Sequence, residues 1–506
     1  MQDGTLLAAV DLGSNSFRLE IGHIEHGQFY RTEYLKETVR QGNGLDVERN
    51  LTAQAMQLGW DCLARFGERL AGFNRANVRA VATQTLREAR NRDEFLLQAN
   101  AVLGFPIDVI SGREEARLIY LGVAHGLPHS NERRLVVDIG GRSTELILGQ
   151  GLKPKLMESY RVGSIAWSTR YFPDHQFSPH AFQMAEIAAK ALLDETLNAY
   201  RRTDWDVAYG SAGTVGAVGD VLVAAGWSAD TVTRDGLDWL QDKLISAQSA
   251  DRIRLPGLKE DRRTIIGGGL SILRAVFDLL QIEQMQLASG GLRHGLLFDQ
   301  IGHTSEDTDV RSKSVHRLAA KFGTDLVHGQ RVGKVALHLF AQLQAFSSGN
   351  RKSAPNPGDE RLSRKLNWAA LLHEIGSQIS HSDYHKHGAY ILDNSDAMGF
   401  ALSELHKLSQ LVLGHRGKLR KLEADFEDEK FVHQLLSLRL AVILCHARRD
   451  PDLNGVSVTR KADHSYSFAV SCRPGWAQAF PQSAHLLREE VLAWQKTPWT
   501  LNLNGC

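Results

Sequence analysis

The chain contains two copies of one hydropathy pattern, in residues 6–21 and 135–148. In each, a short apolar run ends in an acidic residue and a turn with glycine and hydroxyl side chains, and a second apolar run follows at once. Apolar runs of this length bounded by turn residues are typical of buried strands. The pattern therefore predicts two β-hairpins, with turns at residues 11–16 and 138–145.

Apolar runs alternate with stretches of helical periodicity up to about residue 301. This alternation predicts strand–helix units of an α/β fold, in two halves that each open with one of the hairpins. A helix is predicted over residues 262–280, and its glycines at 267–269 are expected to interrupt it.

The pattern changes near residue 309, where strand signals vanish and helical periodicity dominates to about residue 449. Serine, glycine and proline predict a surface loop at residues 347–358. Strand-like runs return within residues 456–503, with a helix between them, and predict a small α+β tail.

The two hairpin turns carry groups suited to phosphate. Glycine lets the backbone approach a ligand, and successive N–H groups in such a turn form an anion-binding nest. Asp11 and Asp138 would repel a bare phosphate, so they indicate a metal ion or a positioned water. Further donors come from the side chains of Ser14, Asn15, Ser143 and Thr144. Two such turns facing each other predict a cleft for a phosphate chain.

A capped helix is predicted to begin after a strand at residues 107–110. Ser111 and Glu114 match an N-terminal capping box, which gives Glu114 a structural role. Glu115 has no such partner and is a candidate general base; the alternative is an exposed acid favoured by the helix dipole. Arg87, near another helix start, is either a phosphate ligand or a solvated arginine.

Bulk composition excludes several classes of protein. With 43% hydrophobic and 23% charged residues and a net charge of +1, the chain is an ordinary globular protein, and we expect no nucleic-acid partner. The four cysteines are far apart without a Cys-x-x-Cys pair, which predicts neither a disulfide framework nor a thiolate zinc site and fits a reducing cytosol. Since no signal peptide or membrane span is recognisable, we expect a cytoplasmic protein without an integral membrane segment.

The motifs D-L-G-S-N-S at 11–16, S-G-R-E-E-A-R-L at 111–118 and D-I-G-G-R-S-T-E at 138–145 resemble those of the exopolyphosphatase and guanosine pentaphosphate phosphohydrolase family. T-L-R at 85–87, G-S-A-G-T at 210–214 and S-G-G-L-R at 289–293 continue the resemblance. It implies an α/β fold of two actin or sugar-kinase-like (ribonuclease H-like) domains, an all-α HD-like domain and a small α+β C-terminal domain. The boundaries expected for these four domains are 1–125, 126–305, 306–450 and 451–506.

The resemblance also implies roles for individual residues. Glu115 matches the catalytic glutamate that activates water, and Asp138 and Glu145 match acidic residues for catalysis and Mg²⁺ binding. Phosphate contacts are implied for Asp11, Ser14, Asn15, Arg87, Gly140, Gly141, Ser143, Thr144, Gly213 and Thr214.

The sequence departs from the family pattern in three segments. Arg142 replaces a glycine in the second turn, where its side chain could crowd or contact the phosphates. Ser289 and His294 flank the last glycine turn in place of acidic residues. His373-Glu374 replaces the His-Asp pair of metal phosphohydrolases in the helical segment, which favours a structural domain over a second catalytic centre. A metal site there stays open because more histidines are near, at His381, His385 and His387.

The function predicted first is an exopolyphosphatase that releases orthophosphate from inorganic polyphosphate. Hydrolysis of guanosine pentaphosphate is the alternative, since both substrates present a terminal phosphate to one cleft. A kinase-like ATPase lacks a recognisable adenosine pocket, and a non-catalytic sensor would not need Glu115. Arg416 and Lys418 are weak candidates for a polyphosphate path, and a homodimer is expected.

Overall fold

The computed structural model describes residues 3–25, 28–128, 130–228, 231–302, 310–347, 357–422, 426–460 and 466–506. The chain divides into two compact units, residues 1–308 and 309–506. The four-domain boundaries expected from the sequence remain predictions.

The first half of unit 1 is built on a five-stranded sheet with strand order β3-β2-β1-β4-β5. β1 pairs antiparallel with β2 and parallel with β4, so the predicted first hairpin is present. Its elements are β1 (Leu6–Leu12), β2 (Phe17–Glu25), β3 (Gln28–Glu37), α1 (Ala53–Arg69), β4 (Val78–Ala82), α2 (Gln84–Glu88), α3 (Arg92–Leu103), β5 (Ile107–Val109) and α4 (Gly112–His125).

The second half of unit 1 is built on a six-stranded sheet with strand order β10-β11-β9-β6-β7-β8. β6 and β7 form the second predicted hairpin, and β9 lies parallel to β6. Its elements are β6 (Arg133–Ile139), β7 (Thr144–Gln150), β8 (Lys153–Tyr160), α5 (Ser164–Tyr171), α6 (Pro179–Leu193), α7 (Thr196–Ala199), β9 (Val207–Ser211), α8 (Ala212–Ala224), β10 (Thr231–Thr233), α9 (Arg234–Ala247), α10 (Ile266–Leu279), β11 (Gln284–Leu287) and α11 (Leu292–Gly302).

The two sheets share a three-stranded antiparallel meander with two parallel strands beside its first strand, and the second sheet adds the antiparallel edge strand β10. The α/β class predicted for this part of the chain is therefore confirmed. Helix α11, expected to belong to the second half, packs against α4 and β1 of the first. Apolar side chains of Leu118, Leu296 and Leu297 are buried in that contact.

The three glycines at 267–269 do not interrupt the helix, contrary to expectation. They form the first turn of α10, which begins at Ile266, and Gly268 and Gly269 lie against α5 at Ser164. A Cβ on Gly268 would come within 2.5 Å of the backbone nitrogen of Ser168. The glycine therefore permits close helix packing, and tertiary contact outweighs its weak helix propensity.

Unit 2 is helical and ends in a small three-stranded sheet with order β12-β13-β14. One hydrophobic core joins the helices to the sheet through Trp494, Trp499 and Phe468. This agrees with the predicted helical segment and α+β tail; most of the loop predicted at 347–358 lies outside the described residues. The elements are α12 (Val310–Lys321), α13 (Leu326–Ser347), α14 (Pro357–Leu372), α15 (Tyr384–Asp393), α16 (Leu402–Gly414), α17 (Glu429–Leu444), β12 (Val456–Arg460), β13 (Ser467–Cys472), α18 (Trp476–Ala479), α19 (Pro481–Trp494) and β14 (Thr500–Asn504).

One disulfide corrects the sequence-based expectation that the cysteines are unpaired. Cys472 and Cys506 are bonded, with Cα atoms 5.2 Å apart. They are 34 residues apart in sequence, but β13 and β14 are parallel neighbours, which brings the ends of both strands together. No helix within the described residues is long and apolar enough to cross a membrane.

Candidate active site

A cavity of about 260 Å³ lies in unit 1 between the two hairpin turns. It is open at the carboxyl ends of the central parallel strands, where α/β sheets usually bind ligands. Most of the residues selected from the sequence line it: Asp11, Ser14, Asn15, Glu115, Asp138, Gly140, Gly141, Ser143, Gly213 and Thr214.

Bonds to a neighbouring loop fix the first turn. The carbonyls of Ser14 and Asn15 accept hydrogen bonds from the backbone N–H groups of Gly42 and Arg40, at 2.8 and 2.9 Å. The Ser14 hydroxyl also accepts a bond of 2.8 Å from the Thr85 hydroxyl. These contacts occupy acceptors of the turn and hold its remaining donors in place beside the cavity.

The second turn is fixed in the same way by the start of α5. Ser164 donates to the Gly140 carbonyl through its backbone N–H at 2.9 Å and through its hydroxyl at 3.0 Å. Thr144 was selected as a phosphate contact, but its hydroxyl donates to the Val162 carbonyl at 2.5 Å, and it does not line the cavity. Its position therefore fits a structural role.

The Arg142 side chain does not line the cavity between the two hairpin turns. Its guanidinium binds Glu88 at 2.6 Å and the Gly42 carbonyl at 3.0 Å. Gly42 belongs to the loop that holds the first turn, so Arg142 ties the second turn to the support of the first. The arginine that stands in place of glycine thus contacts a supporting loop and does not fill the cavity.

The two hairpins place different partners opposite equivalent aspartates. Asp11 lies opposite Arg18 and binds it at 3.4 Å, whereas Asp138 lies opposite Glu145. Arg18 also lines the cavity, although it was not selected from the sequence. Aligning the two hairpin sequences, which puts Arg18 at the position of Glu145, would have identified it.

Glu115 lies at the start of α4, beside Arg87. The Ser111 hydroxyl caps this helix by accepting the N–H of Glu114, whose carboxylate binds Arg117 through two bonds of 2.8 Å. Glu115 instead reaches the cavity and accepts a bond of 2.8 Å from Arg87. Burial raises the pKa of Glu115, and the Arg87 charge opposes that rise.

Arg87 was selected as a phosphate contact, and the structure places its guanidinium beside Glu115. Besides Glu115, its guanidinium binds the Ile110 carbonyl at 2.9 Å and the Gln84 side chain at 2.6 Å. It does not line the cavity. Its donors are used to orient Glu115, so it is better described as a positioning residue.

The acidic cluster of Glu115, Asp138 and Glu145 is buried around this point. Burial raises the pKa of Asp138 to about 7, and the Glu115 charge adds to the rise. Burial raises the pKa of Glu145 well above its ordinary range, although its carboxylate accepts a 2.7 Å bond from Ser159. Glu145 lies behind Asp138 and does not line the cavity.

Such a buried acidic cluster fits a divalent cation such as Mg²⁺. No three acidic groups described in the cleft bring ligand atoms within 4.8 Å of one another, so they form no complete protein cage. Mg²⁺ commonly takes one or two carboxylates and completes its shell with water and substrate phosphates. Asp138, which reaches the cavity, suits that arrangement, with Glu145 behind it.

A second cation that the sequence did not indicate, Arg262, enters the cleft from the other side. It lines the cavity, and burial lowers the pKa of its guanidinium. Its guanidinium lies against Gly213 in the turn after β9, where a Cβ would meet it. Arg18 and Arg262 together supply positive charge for an anionic ligand.

An aromatic ring lies at the rim of the same cavity. Tyr34 is 40% exposed, and the guanidinium of Arg293 lies 4.9 Å from its ring centroid. Arg293 and His294 both contact the buried Glu20, at 3.1 and 3.4 Å. The last glycine turn is thus anchored by basic residues on Glu20, and Ser289 also lines the cavity.

Arg416 and Lys418, the candidates for a polyphosphate path, lie in unit 2 and are exposed. Arg416 packs over the ring of Tyr384, with 4.8 Å to its centroid. Their proposed role remains a prediction.

Comparison with known proteins gives matches along nearly the whole chain. A model described as the Ppx/GppA phosphatase family matches residues 21–304, and one described as Ppx/GppA phosphatase, domain III, matches residues 310–491. A guanosine-5'-triphosphate,3'-diphosphate pyrophosphatase of Aeromonas hydrophila is 37% identical over 508 residues, covering 99% of each chain. A protein of the same name from Vibrio cholerae is 40% identical over 454 residues, covering 88% of each chain.

Solved structures share the fold of unit 1. An exopolyphosphatase from Cytophaga hutchinsonii aligns with 59% of this chain and 99% of its own, with a TM-score of 0.53 and 21% identity. A Ppx-GppA enzyme of Aquifex aeolicus aligns with 58% of this chain and 99% of its own, with a TM-score of 0.50 and 22% identity. From these matches, the chain belongs to the Ppx/GppA phosphatase family, whose members hydrolyse phosphoanhydride bonds.

Proposed function

We propose that this chain hydrolyses the terminal 5'-phosphoanhydride of guanosine pentaphosphate and releases orthophosphate and guanosine tetraphosphate. The observation that carries this proposal is the 37% identity, over 99% of both chains, to a relative named for that nucleotide. We therefore prefer guanosine pentaphosphate to inorganic polyphosphate, which was the first substrate predicted from the sequence. Inorganic polyphosphate remains the second candidate, because its chain end offers the same bond to the same cleft.

In this proposal the terminal phosphate binds between the two turns. The rigid turns, with Ser14, Asn15 and Ser143 at the cavity wall, offer backbone and hydroxyl donors to its oxygens. Arg18 and Arg262 offset the charge that develops on the leaving phosphate. Positive charge is needed there because the buried carboxylates of the cleft would otherwise repel the phosphate.

Glu115 accepts a proton from a water molecule in line with the scissile bond. The water oxygen forms a bond to the terminal phosphorus, and the bond from that phosphorus to the bridging oxygen breaks. The bridging oxygen leaves with its electron pair on the nucleotide. Asp138, supported by Glu145, would hold a divalent cation, which when bound supplies Lewis-acid stabilisation of phosphate charge.

Arg87 positions Glu115 and opposes the rise of its pKa, so Arg87→Gln is expected to change the pH profile. A base must be unprotonated to act; loss of the Arg87 charge raises the pKa of Glu115 further, so the acid limb of kcat/KM moves to higher pH. Arg87→Lys should restore most of the wild-type profile. If Arg87→Gln lowered kcat/KM equally at every pH, its role would be merely structural.

Guanosine pentaphosphate has a nucleoside that needs a contact surface on the protein, whereas inorganic polyphosphate has none. Tyr34 is the exposed aromatic ring at the cavity rim, held by the guanidinium of Arg293. Aromatic side chains stack on nucleobases with about 1–3 kcal/mol per base. Tyr34 is therefore our candidate for the residue that contacts guanine.

Tyr34→Leu is expected to lower kcat/KM for guanosine pentaphosphate by about tenfold through lost stacking. Phosphate release from long-chain polyphosphate should stay near the wild-type rate, because the turns and Glu115 are untouched. Tyr30→Leu is the matched control, since Tyr30 is 44% exposed on the same strand but does not line the cavity. Equal losses with both substrates would remove Tyr34 from guanine recognition while leaving the catalytic assignments standing.

A further inference from the structure

Unit 2 contains a second cavity, of about 460 Å³, lined by residues of α13, α15, α17 and α19 and by the segments that follow α14, α16 and α17. It has no part in the hydrolysis proposed for unit 1. Histidines are concentrated along its wall, at His328, His373, His415 and His446. Of these, His328 and His373 combine with Glu374 in a tight group whose ligand atoms all lie within 4.8 Å of one another.

The backbone fixes the ring orientation of His373. Its Nδ1 lies 2.7 Å from the Ala370 carbonyl, which can only accept, so Nδ1 donates its proton. Nε2 is then the ring atom available to a ligand. Metal-binding histidines are commonly held in this way, with the other ring nitrogen bonded to a carbonyl.

His415, next to this group, is oriented by the same device. Its Nδ1 lies 2.6 Å from the Val412 carbonyl, and its ring centroid lies 5.3 Å from that of His373. Its Nε2 is 3.5 Å from the Tyr384 hydroxyl. Nε2 of His415 is thus a further nitrogen beside the group of His328, His373 and Glu374.

Glu374 and the nearby Asp325 share one guanidinium, that of Arg448. Arg448 binds Glu374 at 2.8 Å and Asp325 at 2.9 Å, and Asp325 also accepts the backbone N–H of His328 at 3.0 Å. Arg416 lies on the wall of the same cavity and adds a positive charge, so a divalent cation has to compete with Arg448 for Glu374. Arg331 lies 3.4 Å from Nδ1 of His328, and its guanidinium pairs with Asp450 at 3.1 Å.

We propose that His328, His373 and Glu374 bind a divalent transition-metal ion in unit 2. Two imidazoles and one carboxylate suit Zn²⁺, Mn²⁺, Fe²⁺ or Co²⁺ better than Mg²⁺, which prefers oxygen ligands. Three protein ligands leave at least one coordination position for water or an anion from the cavity. The sequence left such a metal site open, although it favoured a structural domain over a second catalytic centre.

The ligand set is tested first on the full-length wild-type protein. The chain is stripped with a chelator, loaded with one equivalent of Zn²⁺, and studied by X-ray absorption. The proposal predicts scattering from two imidazole ligands and no sulfur. A spectrum without imidazole ligands overturns it, and this test does not depend on any variant folding.

The location is tested with Co²⁺, whose visible absorption reports ligands directly. His328→Gln and Glu374→Gln are expected to weaken Co²⁺ binding by about 10-fold or more, with circular dichroism confirming that the metal-free proteins fold. Two controls should keep wild-type affinity: His381→Gln at an exposed histidine and His446→Gln on the cavity wall outside the group. Unchanged affinity in His328→Gln and Glu374→Gln, or loss in His381→Gln, would overturn the site.

Discussion

Glu115→Gln is expected to lower kcat for phosphate release by about 10²–10⁴-fold, the usual contribution of a general base. Glutamine keeps the shape of the side chain and can still contact Arg87, but it cannot accept the water proton at neutral pH. Because the turns that bind the phosphate are unchanged, KM should move little. Steady-state kinetics on guanosine pentaphosphate with Mg²⁺ would measure both quantities.

The neighbouring acid provides the matched control. Glu114 is fully buried and paired with Arg117, so Glu114→Gln should lower stability, by about 3–5 kcal/mol for a broken buried pair, without a comparable loss of kcat in the folded protein. Thermal melting separates the two effects. A Glu115→Gln enzyme with wild-type kcat would mean that another group, such as Asp138, activates the water.

Asp138→Asn is expected to lower activity by about 10²-fold or more, since a bound cation contributes several kcal/mol to charge stabilisation. Asparagine preserves the hairpin but removes the carboxylate that reaches the cavity. The Mg²⁺ concentration needed for half-maximal activity should rise strongly. Titration of Mg²⁺ at fixed substrate concentration measures this shift.

Asp206→Asn is the control for this second prediction. Asp206 lies before β9, at the opposite end of the same sheet, where it binds Arg133. The substitution removes an equal charge far from the cleft and should leave the Mg²⁺ dependence unchanged. Should Asp138→Asn lose activity with an unaltered Mg²⁺ requirement, Asp138 would act on the water or the substrate instead of a cation.

The parts of the site that local sequence could predict are those built by local structure. Each hairpin turn follows from an apolar run, an aspartate and glycines within a few residues, and both turns lie at the cavity. Glu115 could be selected because its neighbours Ser111 and Glu114 showed where the helix begins. These elements depend on contacts between residues that are near in the chain.

The parts that escaped prediction depend on contacts between distant segments. Arg142 binds Glu88 and Gly42, and Arg262 reaches the turn at Gly213, yet no local pattern marks either arginine. The same reason explains the pairing of Cys472 with Cys506 across β13 and β14. Arg18 is intermediate, since the internal repeat could have indicated it.

Arg87 illustrates why a motif can indicate a site without fixing a role. Its position near a helix start and its charge both suggested phosphate binding. In the fold, β4 and β5 bring it beside the start of α4, where Glu115 and the Ile110 carbonyl take its donors. The role therefore depends on a partner that lies 28 residues away in sequence.

The most direct test of the central claim is a comparison of substrates with the wild-type enzyme. Orthophosphate release would be followed with Mg²⁺ from guanosine pentaphosphate and from long-chain polyphosphate, separately and in competition. We predict the higher kcat/KM for the nucleotide, and competitive inhibition of polyphosphate hydrolysis by it, because both chain ends bind between the same two turns. Release from polyphosphate with none from guanosine pentaphosphate would contradict the proposed function and restore the exopolyphosphatase assignment.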